Sequence, residues 1–232
     1  MVNMETSGRK NDILNIIIKE HIKTGAPVGS GVLVDKYKLN ISPATVRNEM
    51  AELEEDGLIA QPHTSAGRIP TEKAYHLYIK NLSGKEPKQH ELKIFEQILK
   101  NKNEQSFKQA AKEMAKISNN AIFWAFHKHN LYYTGISNLL SQPEFAQNNL
   151  IYDISVIIDR LDEIISEIFD NVEYGPQISL GSENHFGDFC GTILVKYKHK
   201  GDVGIFGILG PMRMDYEKNL ALAEFINNKI IK

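Results

Sequence analysis

The chain has 232 residues, a hydrophobic content of 42% and a formal net charge of −2. This length predicts one or two domains with cores of their own, and the near-neutral charge excludes binding to nucleic acid through bulk positive charge. The single cysteine, Cys190, excludes a disulfide framework and a multi-cysteine zinc site and indicates a reducing compartment. Without a secretory pattern or an apolar run of about 18 residues, we expect a cytoplasmic protein with no membrane contact.

Three helices are predicted before residue 57. Apolar residues at helical spacing predict the first helix over residues 9–25. Ser30 is the expected N-cap of a short second helix. Ser42 as N-cap and Pro43 as first helical residue begin the third helix, which Gly57 ends. Because only a few residues separate the second helix from the third, the pair predicts a helix-turn-helix.

A short hairpin is predicted after the third helix. Residues 58–60 and 68–70 read as extended segments on either side of the polar sequence QPHTSAG. Thr71 is the expected N-cap of a further helix. The polar residues 83–89, which include glycine and proline, predict a linker.

The rest of the chain mixes helical and strand patterns, which predicts an α+β domain. Helices are expected at about 90–100, 105–129 (with Trp124), 144–170 and 214–230, and strands near 131–134, 177–181, 190–198 and 203–209. A sheet of about four strands closed by helices should leave little room for a ligand pocket of several hundred Å³.

Several motifs together resemble one known family. They are PVGS at residues 27–30, SPATVRNEM at 42–50, QPHTSAGRIPT at 61–71, GISNLLSQPEF at 135–145 and GIFGILGPMRMDY at 204–216. This pattern is similar to that of HrcA, the bacterial heat-inducible transcription repressor family. The resemblance implies a winged helix-turn-helix DNA-binding domain over residues 1–84 and a GAF-like dimerisation and regulatory domain over residues 85–232.

The chain departs from the family in length. Family members usually exceed three hundred residues, so we expect a reduced GAF-like domain. The first strands of that domain and an inserted dimerising subdomain are expected to be missing between His129 and Leu131.

The resemblance also implies a function. A member of this family represses chaperone genes by binding double-stranded DNA as a homodimer at an inverted-repeat operator, the CIRCE element. The GroEL chaperonin is a further implied partner, and no cofactor is expected.

Candidate DNA contacts follow from the helix-turn-helix, whose second helix places its N-terminal residues at base edges. The candidates are Ser30, Ser42, Pro43, Ala44, Thr45, Arg47, Asn48, His63, Thr64, Ser65 and Arg68. Arg47 suits a guanine or a phosphate and Asn48 an adenine, whereas the hydroxyls of the wing and Arg68 suit phosphates or the minor groove. Two structural alternatives stay open: Arg47 pairs with a nearby glutamate, or the wing is an ordinary polar hairpin.

The sequence offers no catalytic or metal-binding constellation, so we do not expect an enzyme. His63 has no second ligand at a suitable spacing, and Cys190 is read as a buried structural thiol. Two other functions remain as alternatives. One is a winged-helix regulator whose second domain senses a small ligand. The other is a protein-interaction module without DNA binding, which the equal number of acids and bases in residues 1–84 favours.

Overall fold

The computed structural model describes residues 4–39, 41–64, 66–82, 87–146 and 148–231. Helices and antiparallel strands are both present, which confirms the α+β class. The chain divides into two compact units, residues 1–82 (unit 1) and 83–232 (unit 2). Most of the predicted linker, residues 83–86, lies outside the described residues. Over the part of the chain that is described, no helix combines the length and apolar character needed to cross a membrane.

Unit 1 is built from helices and one short hairpin, as the sequence predicts. Its elements are α1 (Met4–Thr24), α2 (Ser30–Tyr37), α3 (Pro43–Glu55), β1 (Ile59–Ala60), β2 (Ile69–Pro70) and α4 (Glu72–Lys80). The two strands are antiparallel, with Ile59 opposite Pro70 and Ala60 opposite Ile69. The predicted cap of α4 is confirmed, because the Thr71 hydroxyl accepts a hydrogen bond from the Ala74 amide.

An apolar stripe on each of the first three helices forms the core of unit 1. Ile13 and Ile17 lie four residues apart on α1, and Val46 and Leu53 lie seven apart on α3. These four side chains and Leu33 of α2 are fully buried. The stripe therefore turns the opposite, polar face of α3 toward solvent.

Unit 2 is a five-stranded antiparallel sheet with helices around it. Its elements are α5 (Gln89–Ile98), α6 (Glu104–Ser118), β3 (Ala121–His127), β4 (Asn130–Thr134), α7 (Ile136–Leu140), α8 (Asn148–Asp159), α9 (Leu161–Ile168), β5 (Gly175–Leu180), β6 (Cys190–His199), β7 (Asp202–Pro211) and α10 (Tyr216–Ile231), with short 3₁₀ turns at Pro143–Ala146 and Gly181–Glu183. The strand order is β4-β3-β7-β6-β5.

Both faces of this sheet are covered. Alternate residues of a strand point to opposite faces. Phe123 lies in a buried cluster with Ile165 of α9 on one face, whereas Trp124 stacks on Phe107 of α6 on the other, with ring centroids 5.1 Å apart. The helix α10 packs against β6.

The predicted helix over residues 105–129 is wrong after residue 118. Asn119 adopts a left-handed conformation with φ of 55°, which ends α6. The apolar run that follows forms β3, because a continuous aromatic and aliphatic segment fits a strand buried on both faces. Trp124 is therefore a strand residue, and its indole donates a hydrogen bond of 2.8 Å to the Tyr197 hydroxyl.

The position of β3 changes the expectation that strands are missing between His129 and Leu131. His127 pairs with Asn130 across a tight turn that joins β3 directly to β4. The chain therefore contains a strand before this point, where the sequence pattern predicted a helix. The predicted helix over 144–170 is also wrong as one element, since it is divided into α8 and α9 at Arg160.

The expectation that unit 2 leaves little room for a pocket is wrong as well. Clefts of about 390, 460 and 450 Å³ open on this unit. The additional strand β3 is part of the reason, because its residues Phe126 and His127 line the 450 Å³ cleft.

Candidate nucleic-acid interface

The first turn of α3 is capped and open to solvent. The predicted cap is confirmed, because the Ser42 hydroxyl accepts a hydrogen bond of 3.1 Å from the Thr45 amide. The hydroxyls of Ser42 and Thr45 are also 2.9 Å apart. Pro43 occupies the first helical position, and both Pro43 and Ala44 are exposed. This end of the helix therefore presents small side chains on a fixed backbone.

Arg47 and Asn48 are exposed one turn further along α3. The Nε of Arg47 donates a hydrogen bond of 3.4 Å to the Ser30 hydroxyl. The alternative in which Arg47 pairs with a glutamate finds no support, since no ion pair of Arg47 occurs among the described residues. The guanidinium thus keeps most of its donors free for another acceptor.

Ser30 is not the N-cap of α2. The helix begins at Ser30 itself, and Gly29 is the cap residue, without a side-chain hydrogen bond. The prediction of Ser30 as cap is therefore wrong by one position. Its hydroxyl instead contacts Arg47 of the neighbouring helix, which brings two candidate residues from different helices together.

The acids that follow Arg47 are held by bases from elsewhere in unit 1. Glu49 is buried and accepts hydrogen bonds from the Arg9 guanidinium of α1. The ammonium of Lys10 lies 3.3 Å from Glu52 and 2.7 Å from Asp56. The hydrogen bond with Asp56 raises the pKa of Lys10, and the same contact lowers the pKa of Asp56.

One base of the hairpin also pairs with α3. The Nε of Arg68 donates to a carboxylate oxygen of Glu54 at 2.9 Å, and the Arg68 side chain is 23% exposed. The backbone of Arg68 forms a bridge with Val28, with N···O distances of 2.8 and 2.9 Å. Arg68 therefore joins the hairpin to α3 and to the segment before α2, and it is less available to an external acceptor than Arg47.

The loop of the hairpin is held by a residue that the sequence analysis did not single out. The side-chain amide of Gln61 donates hydrogen bonds of 3.0 Å to the carbonyls of Thr64 and Ala66. The side chains of His63 and Thr64 are exposed on this loop, and Ser65 lies outside the described residues. An amide at the start of a polar loop was the available signal for Gln61, because asparagine and glutamine can replace turn hydrogen bonds.

A partly buried ion pair joins α2 to α1. Glu20 is 6% exposed, and its carboxylate accepts from the Lys36 ammonium at 2.7 Å and from the Tyr37 hydroxyl at 2.6 Å. These hydrogen bonds, that of Lys36 first, lower the pKa of Glu20, and the contact with Glu20 raises the pKa of Tyr37 to about 12. Because α2 carries Ser30, this pair also helps to set the position of the Ser30–Arg47 contact.

Comparison with known proteins identifies the family. A sequence profile described as "HrcA protein C terminal domain" matches residues 47–220, which is most of the chain. The chain belongs to the HrcA family of heat-inducible transcription repressors. The match begins within α3 and continues through unit 2 into α10.

Individual HrcA proteins match either over nearly the whole chain at low identity or over about a third of it at higher identity. The heat-inducible transcription repressor HrcA of Carboxydothermus hydrogenoformans is 26% identical over 326 residues, which covers 94% of this chain and 95% of that protein. Since the alignment is longer than the 232 residues of this chain, it crosses residues of that relative with no counterpart here. HrcA of Pelotomaculum thermopropionicum is 55% identical over 76 residues, which is 33% of this chain and 22% of the relative.

A solved structure shares the fold. A crystal structure titled as that of a hypothetical protein aligns with a TM-score of 0.73 and covers 96% of both chains at 16% identity. This likeness concerns the fold alone.

Proposed function

We propose that the chain represses heat-shock genes by binding an inverted-repeat operator such as CIRCE as a homodimer. In this proposal unit 1 is a winged helix-turn-helix, α3 is its recognition helix and the hairpin β1–β2 is its wing. Unit 2 is a GAF-like domain that supports dimerisation, a proposal supported by its five-stranded antiparallel sheet between helices. The family resemblance suggests GroEL as a further partner.

The arrangement of charge on α3 carries the proposal. Arg47 is the one base in the helix sequence PATVRNEMAELEE, and it is exposed beside the capped N-terminus. The acids Glu49, Glu52 and Glu54 are each paired with a base of unit 1. The negative charge of α3 is therefore largely neutralised within unit 1, and one end of the helix remains positive.

Each exposed residue of this end then has a role in the proposed complex. Arg47 would donate to a guanine or a phosphate, and Asn48 would form paired hydrogen bonds with an adenine. Pro43 and Ala44 would contact a thymine methyl group, and Thr45 would supply a short donor and acceptor. Because Ser30 contacts Arg47 at 3.4 Å, it would orient the guanidinium or share a phosphate with it.

The wing would contact the backbone of the DNA. His63 and Thr64 are exposed at its loop, and the Gln61 hydrogen bonds fix the carbonyls on either side of its tip. Arg68 would combine its contact with Glu54 with a contribution to phosphate attraction. Contacts of this kind set the position of the protein and carry no sequence information directly.

Operator binding measured by fluorescence anisotropy tests the proposal, with an inverted repeat and a scrambled duplex at two salt concentrations. Arg47→Ala and Asn48→Ala should each cost about 1–3 kcal/mol of specific binding. Arg68→Ala should weaken binding to both duplexes. Lys19→Ala, which removes an exposed charge of α1, is the control and should bind as wild type does.

Two results would contradict the proposal. If the Arg47, Asn48 and Arg68 variants all bind the operator as wild type does, the surface around α3 does not recognise the operator. If wild type binds neither duplex at low salt, the chain lacks a DNA role and the interaction-module alternative gains support.

A ligand-sensing role is the second candidate, and the 450 Å³ cleft of unit 2 favours it. This volume lies within the range of about 300–1,000 Å³ that is typical of ligand sites. Its lining includes Phe107, Tyr197 and His199. A small molecule that raises the melting temperature of unit 2 and changes operator affinity would support this role. Both effects should then disappear when the residues that line the cleft are substituted.

A further inference from the structure

The helix α8 exposes large apolar side chains on one face. The side chains of Ile151, Tyr152 and Val156 are 40%, 70% and 37% exposed, and Leu140 of α7 is 38% exposed. Between them on the helix lies Ser155, whose hydroxyl donates to the carbonyl of Ile151 at 2.9 Å. The polar group at the centre of this face thus has its hydrogen bond within the helix.

Helical geometry shows that this exposure belongs to one continuous stripe. A rotation of about 100° per residue places positions 151, 152, 155, 156 and 159 on the same side. Ile154 points the other way and is buried in the core of unit 2. We call the stripe formed by Ile151, Tyr152, Ser155, Val156 and Asp159 the α8 face.

The charges of α8 narrow the choice of partner. Its sequence, NNLIYDISVIID, contains two aspartates and neither lysine nor arginine. A face of this kind repels DNA and anionic lipid. Its large apolar side chains, with a carboxylate at one end, instead have the composition of a protein interface.

We propose that the α8 face binds the α8 face of a second copy, with the two helices antiparallel about a two-fold axis near Ser155. The small Ser155 side chain permits close approach of the helix axes at that point. Antiparallel packing places Tyr152 of each copy near Val156 of the other. This inference rests on the homodimer of the proposed function and names the α8 face as the surface through which the two copies bind.

Charge complementarity selects the antiparallel arrangement. Asp159 is at the C-terminal end of α8, where the helix dipole is negative. In an antiparallel pair this carboxylate lies near the positive N-terminal end of the other copy's helix, whereas a parallel pair would bring two aspartates together. The same surface patch meets itself across the axis, as a two-fold interface requires.

The size of the face predicts a weak dimer. With 12 residues, α8 is about 18 Å long. Even with Leu140 included, a pair of such helices buries less than the roughly 800 Å² per partner of a standard stable interface. We therefore expect a micromolar dimer that the two half-sites of an operator stabilise further.

Sedimentation equilibrium of the full chain tests the contact. Tyr152→Glu and Val156→Glu, both at exposed positions, should each raise the dimer dissociation constant at least about tenfold. Tyr174→Glu is the matched control, because Tyr174 is a 61% exposed aromatic residue outside α8, and this variant should have the dimer dissociation constant of wild type. Circular dichroism melting of each variant establishes that the fold is kept.

A cysteine at the proposed axis gives an independent measurement. Ser155→Cys should form an intermolecular disulfide on mild oxidation, because cysteines bridge when their Cα atoms are within about 7 Å. The native Cys190 does not compete, since it is fully buried and burial raises its pKa to about 12. Gln109→Cys on the exposed side of α6 is the control and should cross-link far less.

The results separate this contact from the DNA proposal. A dimer unaffected by both glutamate substitutions, a wild type that stays monomeric at high micromolar concentration, or no excess cross-linking at position 155 over position 109 would each overturn the α8 contact. Anisotropy with a single half-site is measured in parallel. Wild type and Tyr152→Glu should bind it equally, and failure of both to bind would count against the DNA role alone.

Discussion

Replacing Gly67 with alanine should separate the hairpin from the segment that precedes α2. A β-carbon at this position would lie 2.5 Å from both the carbonyl carbon and the carbonyl oxygen of Val28. Both are backbone atoms, so rotation of a side chain cannot relieve the overlap. The two segments have to separate, although the new residue adds only one methyl group.

The structure gives the size of the effect. Separation breaks the hydrogen bonds between Val28 and Arg68, which measure 2.8 and 2.9 Å. Each contributes a net stabilisation of about 0.5–1.5 kcal/mol, so the free energy of unfolding of unit 1 should fall by about 1–3 kcal/mol. For a domain of this size, that loss corresponds to a decrease of roughly 5–20 °C in melting temperature.

Calorimetry of the full chain is the assay, with the transition of unit 2 as an internal reference. The control is Gly31→Ala, because a β-carbon at Gly31 meets no atom within 4 Å. Gly31 lies in α2, and alanine is more favourable than glycine in a helix by about 1 kcal/mol. The same substitution should therefore stabilise unit 1 there. If Gly67→Ala melts at the wild-type temperature or above, the backbone bridge at Val28 does not hold the hairpin.

Two further predictions concern buried polar groups, one in each unit. The pKa of Glu20 is lowered by hydrogen bonds from Lys36 and Tyr37, so its stabilisation is complete above the unfolded-state value of about 4.3 and is lost as the pH falls through the lower folded-state value. Urea unfolding should therefore show a steeper loss of stability toward acid pH in wild type than in Glu20→Gln, and identical profiles would count against this ion pair. In unit 2, the fully buried amide of Asn219 has no hydrogen-bond partner at either end among the described residues. Asn219→Leu should stabilise unit 2 by about 1–3 kcal/mol in a thermal melt, whereas a lower melting temperature would indicate a partner for the amide.

Local signals were sufficient for most of unit 1. Ser42 followed by Pro43 predicted the start of α3 because the cap and the fixed proline backbone act within one turn. Thr71 did the same for α4. The polar loop between two extended segments predicted the hairpin, since turn residues restrict the backbone locally.

The same local reasoning failed where a continuous apolar run allowed either structure. Residues 121–127 lack the alternation that marks a half-buried strand, so their pattern predicts a continuation of α6. Both faces of β3 are buried in the sheet, and the hydrogen bonds that decide the matter come from β4 and β7. Position 160 was missed for a similar reason, because no glycine or proline marks the break between α8 and α9.

Local patterns in the sequence were enough to predict the family resemblance, the α+β class, the helices and hairpin of unit 1, and the residue types at the start of α3. The pairing of charges could be seen only in the folded chain, where Arg9 and Lys10 of α1 reach Glu49 and Glu52 some forty residues away. Caps and periodicity act over one or two turns, whereas ion pairs and sheet hydrogen bonds form between segments that meet only when the chain has folded. Composition therefore shows only that residues 1–84 have no net charge. The fold shows in addition that acids of α3 are paired with other bases, while Arg47 stays exposed near the start of its helix.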